Sequence, residues 1–253
     1  MARQLHSFLE HEGPVAFAHR GGAGNWPENS MEAFESAVSL GFGYVETDVH
    51  VTADGVVVAF HDEHLDRVTD RSGRISELTW SEVSQARIDG IAPIPLLEEI
   101  LAEWPLLRVN IDPKSDEVVG PLADLLHRTN SLDRICLGSF SDSRLDHFRS
   151  RFGAEVCTSM GPRGIAKFRA SSFGLGRGEV AGNCLQVPTH IRKIPLVDDR
   201  FIRRAHRAGL PVHVWTIDDP LEMTKLLDQG VDGIMTDLPE ILRSVLQSRG
   251  TWM

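Results

Sequence analysis

Two short segments gather side chains that could attack a phosphate ester. Ala18-His19-Arg20-Gly21-Gly22 with Pro27-Glu28-Asn29-Ser30 comes first, and Glu46-Thr47-Asp48 with His61-Asp62 follows. Each histidine can pass a proton in either direction near neutral pH, and the fork of Arg20 matches two phosphate oxygens. Grouped carboxylates hold a divalent cation. Together these are the parts of metal-assisted attack on phosphorus.

Glu46 and Asp48 lie two apart in a strand-like run, so they share one face. Asp112 closes the next such run, Val109-Asn110-Ile111-Asp112. Three acids at successive strand ends repel one another unless a cation neutralises them, and hard oxygen donors call for one Mg²⁺ or Ca²⁺. Lys114 is placed to offer a point charge to the phosphate, and Trp215 to line the site with an aromatic surface. His50 shares the face of Asp48 by parity, and His190 could border the pocket mouth. His6, His11, His64, His127, His147, His206 and His213 sit in polar or helical contexts without a partner pattern. Cys136, Cys157 and Cys184 stand singly in apolar runs, and an odd count without CxxC spacing argues against a disulfide framework or a zinc site. They read as buried structural thiols.

Strand-like runs at 15–18, 44–51, 107–111, 134–137, 155–158, 184–187, 211–217 and 233–236 must position these groups. Helical patterns at 30–40, 96–102, 117–129, 143–151, 162–171, 198–208, 220–228 and 240–247 separate them, several opened by Ser, Asp or Pro. Eight strand–helix units predict a (β/α)8 TIM barrel, an α/β fold, spanning 1–253 as a single domain with its chemistry at the carboxyl ends of the strands. One stretch, at about 56–93, departs from the alternation and reads as a small insertion after the second strand. Asp54-Gly55 signals a hairpin there. A two-residue turn would set His61 opposite Asp48, a four-residue loop would set it opposite Glu46, and a three-residue bulged loop would aim it elsewhere.

Composition narrows the function classes. The 253 residues are 42% apolar, enough for a substantial core, and 26 basic against 36 acidic residues give a formal charge of −10. That is the wrong sign for a nucleic-acid or anionic-membrane binder, so an anionic substrate must be held locally. The segment from Met1 to Glu12 lacks an apolar signal-peptide core, and no run approaches the ~20 apolar residues of a membrane span. A cytoplasmic protein without stable membrane insertion is expected. Phe173-Gly174-Leu175-Gly176-Arg177-Gly178 follows a helical pattern and reads as a mobile connection, not a phosphate cradle.

The chain resembles the glycerophosphodiester phosphodiesterase family in His19-Arg20-Gly21-Gly22, Pro27-Glu28-Asn29-Ser30, Glu46-Thr47-Asp48, Thr52-Ala53-Asp54-Gly55 and His61-Asp62. The resemblance continues in Ile94-Pro95-Leu96-Leu97-Glu98-Glu99, Asn110-Ile111-Asp112-Pro113-Lys114, Trp215-Thr216 and the run from Gly230 to Asp237. It implies a barrel carrying a small insertion and divalent-metal hydrolysis of a glycerophosphodiester to glycerol phosphate and an alcohol. By position it implies His19 and His61 as the acid/base pair, Glu46, Asp48 and Asp112 as metal ligands, and Arg20 with Lys114 as phosphate contacts. Glu28 would orient Arg20 or border the metal. Two residues depart from the pattern: the family commonly has Glu where Asp112 stands, and Thr where Ser30 stands. A lysophospholipid-acting relative would need an apolar groove or membrane-facing patch that the sequence does not reveal. A catalytically silent binding barrel would have no use for the intact pair His19 and His61.

Overall fold

The computed structural model describes residues 5–175 and 181–252, so the stretch from Gly176 to Gly178 of the glycine-rich segment and the first four residues lie outside the described residues. The barrel strands are β1 (Val15–Ala18), β2 (Tyr44–Val51), β4 (Arg108–Pro113), β5 (Ile135–Leu137), β6 (Cys157–Thr158), β7 (Leu185–Pro188), β8 (Val212–Trp215) and β9 (Gly233–Thr236). An antiparallel strand, β3 (Val57–Ala59), folds back on β2. The sheet runs β6-β5-β4-β2-β1-β9-β8-β7, every barrel pairing parallel, and a bridge between Ser159 and Cys184 joins its two ends. Two main-chain hydrogen bonds span that seam, Met160 N–H to Cys184 O at 2.9 Å and Asn183 N–H to Thr158 O at 2.6 Å. The closed (β/α)8 barrel predicted from the alternation is therefore present.

Parity along the strands sorts the side chains. Val45 and Val49 of β2, Val109 and Ile111 of β4, and Val212 and Val214 of β8 pack outward against the helices. The alternate positions face the barrel axis, where Phe17, Tyr44, Cys136, Cys157, Cys184 and Met235 form a second apolar cluster. A 3-10 turn at Ser7–Leu9 plugs this floor, with the Phe8 ring edge-on to Tyr44 at 5.3 Å and the Tyr44 hydroxyl donating to Phe8 O at 2.9 Å.

Helix α1 (Met31–Ser39) is capped by Ser30, whose side chain accepts from Ala33 N–H, as the Ser at the start of the helical pattern predicts. Between β3 and the next barrel helix, Leu97–Glu103, the insertion forms its own small core around Val58, Phe60, Leu65, Ile75 and Ile88. Two strand expectations shrink. The 155–158 run is extended only at Cys157–Thr158, because Gly153–Glu155 turn as a 3-10 helix, and the 211–217 run leaves the sheet after Trp215.

Of the three loop lengths weighed for the hairpin, the three-residue one is present, so His61 stands opposite neither Asp48 nor Glu46. Val49 pairs with Ala59 and Val51 with Val57, while Thr52 N–H reaches Val56 O across a three-residue loop. Gly55 supplies the left-handed residue of that loop at φ +85°. Phe60, not His61, thus stands opposite Asp48, with Phe60 N–H donating to Asp48 O at 2.9 Å. His61 nonetheless lines the pocket, because β3 ends at Ala59 and the chain leaves the sheet before the histidine.

Candidate active site

A cavity of about 900 Å³ opens at the carboxyl ends of the barrel strands, and His19, Arg20, Glu46, Asp48, Asp112 and Lys114 form one side of it. His61 and Trp215 also line it. Glu28 stands behind Arg20, to which it is paired at 3.2 Å.

His19 and Arg20 owe their placement to the turn after β1. Arg20 takes a left-handed backbone (φ 51°) and Gly21 follows at φ 82°, where an added Cβ would lie 2.8 Å from Ala33 Cβ. Glycine is thus required at position 21 by both conformation and packing. Helix α1 closes tightly on the turn, and the Arg20 amide donates to Glu46 Oε2 at 3.2 Å. His19 Nδ1 bonds Asp237 Oδ1 at 2.6 Å, while its Nε2 lies 3.6 Å from Glu46. Burial alone would lower the His19 pKa, but the Glu46 and Asp237 charges outweigh it and raise it. His61 has its own carboxylate: Nδ1 lies 2.5 Å from Asp62 Oδ1. Asp62 is shared with Arg67 at 2.5 Å, and this contact is the leading cause that lowers its pKa to about 2.

The acids meet as strand register dictates. Asp48 of β2 pairs directly with Asp112 of β4, and Glu46 lies one inward step below Asp48. Burial, with Asp48 beside it, raises Glu46 to about 7, and burial raises Asp112 to about 6 against the pull of Lys114. Asp48 moves the other way. Burial opposes its ionisation, yet Lys114 Nζ at 2.8 Å and Arg20 Nε at 3.0 Å hold its pKa down. Lys114 also reaches Asp112 at 3.0 Å, so its ammonium is wedged between two carboxylates. Asn29 supports the same group, donating to Asp48 Oδ2 at 3.3 Å while accepting from Thr47 Oγ1 at 2.8 Å.

Several of these partners carried no signal of their own in the sequence. Asp237 lies 218 positions from His19 and Arg67 lies 39 from Glu28, so only the fold brings them together. Asp237 stood at the end of a quoted motif without a role; Arg67 stood in a polar insertion. Asn110 and Gln186 meet across the barrel at 2.8 Å, and the buried Gln186 Oε1 has no hydrogen-bond partner. His50 bonds the His61 carbonyl through Nε2 at 3.1 Å, and His190 lines the pocket. His213 departs from its polar-context reading, being 1% exposed on an inward position of β8.

The far wall is largely apolar. Phe140, Met160, Ile165, Ile191, Leu196 and Trp215 line it, and the Phe140 ring meets Trp215 edge-on at 5.6 Å. An apolar surface of the kind the sequence did not reveal is therefore part of the pocket. Among the described residues no helix is long and apolar enough to cross a membrane.

Glu46, Asp48 and Asp112 offer hard oxygen donors, and the burial that raises Glu46 and Asp112 is a cost that a divalent cation would offset, although the three do not meet within 4.8 Å in this arrangement. In the present arrangement Lys114 fills the gap between two of them.

Comparison with known proteins places this geometry. A chain described as probable glycerophosphodiester phosphodiesterase 2 of Mycobacterium tuberculosis is 38% identical over 97% of this chain and 95% of its own length. Lysophospholipase D GDPD1 of Homo sapiens is 26% identical over 91% of this chain and 85% of its own. An Oleispira antarctica phosphodiesterase solved in complex with the product sn-glycerol-3-phosphate superposes with a TM-score of 0.76 at 23% identity, covering 93% of this chain and 97% of that one. The pattern that defines the glycerophosphoryl diester phosphodiesterase family matches residues 19–160 and 166–241, from the first candidate histidine to the last barrel helix, and the chain belongs to that family.

Proposed function

We propose that this phosphodiesterase hydrolyses glycerophosphodiesters to glycerol phosphate and an alcohol by acid/base catalysis from His19 and His61, with one Mg²⁺ or Ca²⁺ held by Glu46, Asp48 and Asp112. The observation that carries the reading is the pair of His–Asp contacts beside the buried acid cluster. In each, a carboxylate engages Nδ1, which fixes the ring and reserves Nε2 for a proton transfer. Their settings divide the labour. His19 lies between two carboxylates that favour its protonated form, so it serves as the acid that protonates the leaving alkoxide. His61, its ring held through Nδ1 by an Asp62 that is itself held by Arg67, takes the complementary role of base.

Glu46, Asp48 and Asp112 would hold the cation, which would supply charge neutralisation at the phosphoryl oxygens. Lys114, on a flexible stem between Asp48 and Asp112, would then offer its ammonium to the phosphate. Arg20, steadied by Glu28 and Asp48, presents its fork to the same oxygens. Gln186 Oε1 accepts from a glycerol hydroxyl, which relieves an unsatisfied buried acceptor. The product complex of the Oleispira phosphodiesterase supports a glycerol phosphate in such a pocket.

A second reading, an amphiphilic substrate such as a lysophospholipid, is favoured by the apolar wall and by the lysophospholipase D activity for which the human relative is named. The three free cysteines suit the reducing medium of the cytoplasm, to which we assign the protein. Turnover on glycerophosphodiesters with small polar head groups and on one lysophospholipid, each with and without chelator, tests the assignment. Chelator-sensitive release of glycerol phosphate from the small diesters is expected; release from the lysophospholipid alone transfers the assignment to the second reading. No turnover of any of them would mark a silent barrel.

A further inference from the structure

The floor of the barrel brings together residues that the chemistry at the mouth does not use. Cys136 on β5, Cys157 on β6 and Cys184 beside β7 point inward, and their sulfurs all lie within 4.8 Å of one another. Among the described residues this is the trio of candidate ligand atoms that converges so closely. The Cys136 and Cys184 sulfurs are 3.9 Å apart. A zinc–thiolate bond of about 2.3 Å sets two sulfurs of one tetrahedral ion about 3.8 Å apart, so that spacing is already the edge of the coordination shell.

A fourth donor stands beside them. His213, at the inward position of β8, hydrogen-bonds Cys184, although its ring lies outside the set of atoms that meet within 4.8 Å. Its Nδ1 is buried without a partner, a costly state for an imidazole in an apolar layer. Space for the ring comes from Gly233, its neighbour in register, where a Cβ would approach His213 Cδ2 to 2.9 Å. Phe17, Tyr44 and Met235 complete the layer without a carboxylate that would suit a hard ion, and the Arg108 guanidinium beside them is turned to the Tyr44 hydroxyl and Glu10 O.

We propose that Cys136, Cys157, Cys184 and His213 bind one soft divalent cation, zinc, in the floor of the barrel, separate from the carboxylate site at its mouth. Binding exchanges thiol protons for metal–sulfur bonds, the protons leaving to solvent, and needs no oxidant. The ligands come from β5, β6, the residue just before β7, and β8, so the ion spans the seam where the sheet closes and acts on the integrity of the barrel.

The test separates sulfur-bound from oxygen-bound metal. Protein produced with zinc is dialysed against a chelator that strips carboxylate sites, its metal is measured by mass spectrometry, and the thiols are then titrated with a mercurial. We expect about one zinc per chain to survive dialysis and to leave in step with thiol modification. Cobalt-substituted protein should show thiolate-to-cobalt charge transfer in the near ultraviolet. Cys184→Ala, a small apolar replacement, should lose the zinc and melt several degrees lower while keeping its circular dichroism; His213→Gln should retain less zinc than the wild type. Should Cys184→Ala fail to fold, the wild-type cobalt spectrum decides alone. Zinc-free wild-type protein without the cobalt band would make the thiols simple core packing, and zinc indifferent to the mercurial would place it elsewhere; a Cys136–Cys184 disulfide in the purified protein would equally overturn the proposal.

Discussion

The two walls of the pocket are built on one principle and do opposite things. On the side of β1, β2 and β4, every inward residue near the mouth is ionisable or polar, and each charge is answered by another within about one side-chain length: His19 by Asp237, Arg20 by Glu28 and Asp48, Lys114 by Asp48 and Asp112. On the side of β5 to β8, Phe140, Met160, Leu196 and Trp215 make van der Waals surface, and the Arg169 charge is paired with Asp198 at 2.7 Å. The contrast separates reaction from recognition. Fixed charges are valuable where charge develops, whereas an apolar wall accepts alcohols of differing size at modest cost.

The comparison breaks most visibly at the histidines. His61→Ala should lower kcat by about 10² to 10⁴, with KM nearly unchanged. His19→Ala should fall in the same range, and a diester with a much better leaving group should rescue it and not the other variant. Equal rescue would erase the division of labour between the two rings.

Next in size is the cation. Asp48→Asn should abolish chelator-sensitive turnover; because it leaves Arg20 and Lys114 beside a neutral group, circular dichroism must confirm the fold. Asp112→Asn should weaken cation affinity, while Asp112→Glu should stay active and shift the preference between compact Mg²⁺ and adaptable Ca²⁺. Wild-type affinity in Asp112→Asn would remove this residue from the ligand set.

Acidity sharpens the same side. A protonated carboxyl cannot ligate, and burial raises Glu46 to about 7 and Asp112 to about 6. Cation affinity measured by calorimetry should therefore fall steeply between about pH 8 and pH 6, where ordinary carboxylates, titrating near 4, would leave it flat. The sign for stability follows: with no cation bound, these raised acids contribute stability below about pH 4, and it is lost as the pH rises through about 7. The metal-free melting temperature should accordingly decline from mildly acidic to mildly alkaline solution, and added cation should recover most at the alkaline end.

The smallest effect belongs to the apolar wall. Phe140→Ala should raise KM for a lysophospholipid about three- to tenfold, the scale of one aromatic contact worth around 1 kcal/mol, and leave a small polar diester unaffected. An equal rise for both substrates would mean that the wall serves the fold and not the alcohol.

The polar wall was legible in the sequence and the apolar wall, Trp215 apart, was not, for a geometric reason. His19-Arg20, Glu46-Thr47-Asp48 and Asp112-Pro113-Lys114 are contiguous, and strand parity alone carries them to one face. Phe140, Ile165 and Ile191 come from three separate strand–helix units, each looking like ordinary core until the barrel closes. The same dispersal hid Asp237, Arg67 and the convergence of the three cysteines. His61 fell to a finer detail: loop length fixes register, and Asp54-Gly55 alone does not say whether Val56 joins the turn. Its arrival in the pocket depends on where β3 stops.

The seam between β6 and β7 has a consequence for how the molecule breathes. Elsewhere β2 and β4 share a ladder from Tyr44 to Val49, but here, among the described residues, one bridge, two main-chain bonds, the Asn183 Oδ1 that accepts from Thr158 N–H at 3.1 Å and the guanidinium of Arg149, which clasps Ser159 O at 2.7 Å and Ala181 O at 3.4 Å, make the closure. Amide hydrogens at Met160 and Asn183 should thus exchange with deuterium long before those of β2, reporting a local opening far less costly than global unfolding. New chain termini placed at this junction would interrupt little of the sheet, so a circular permutant opened there should still assemble the barrel and carry its polar wall intact.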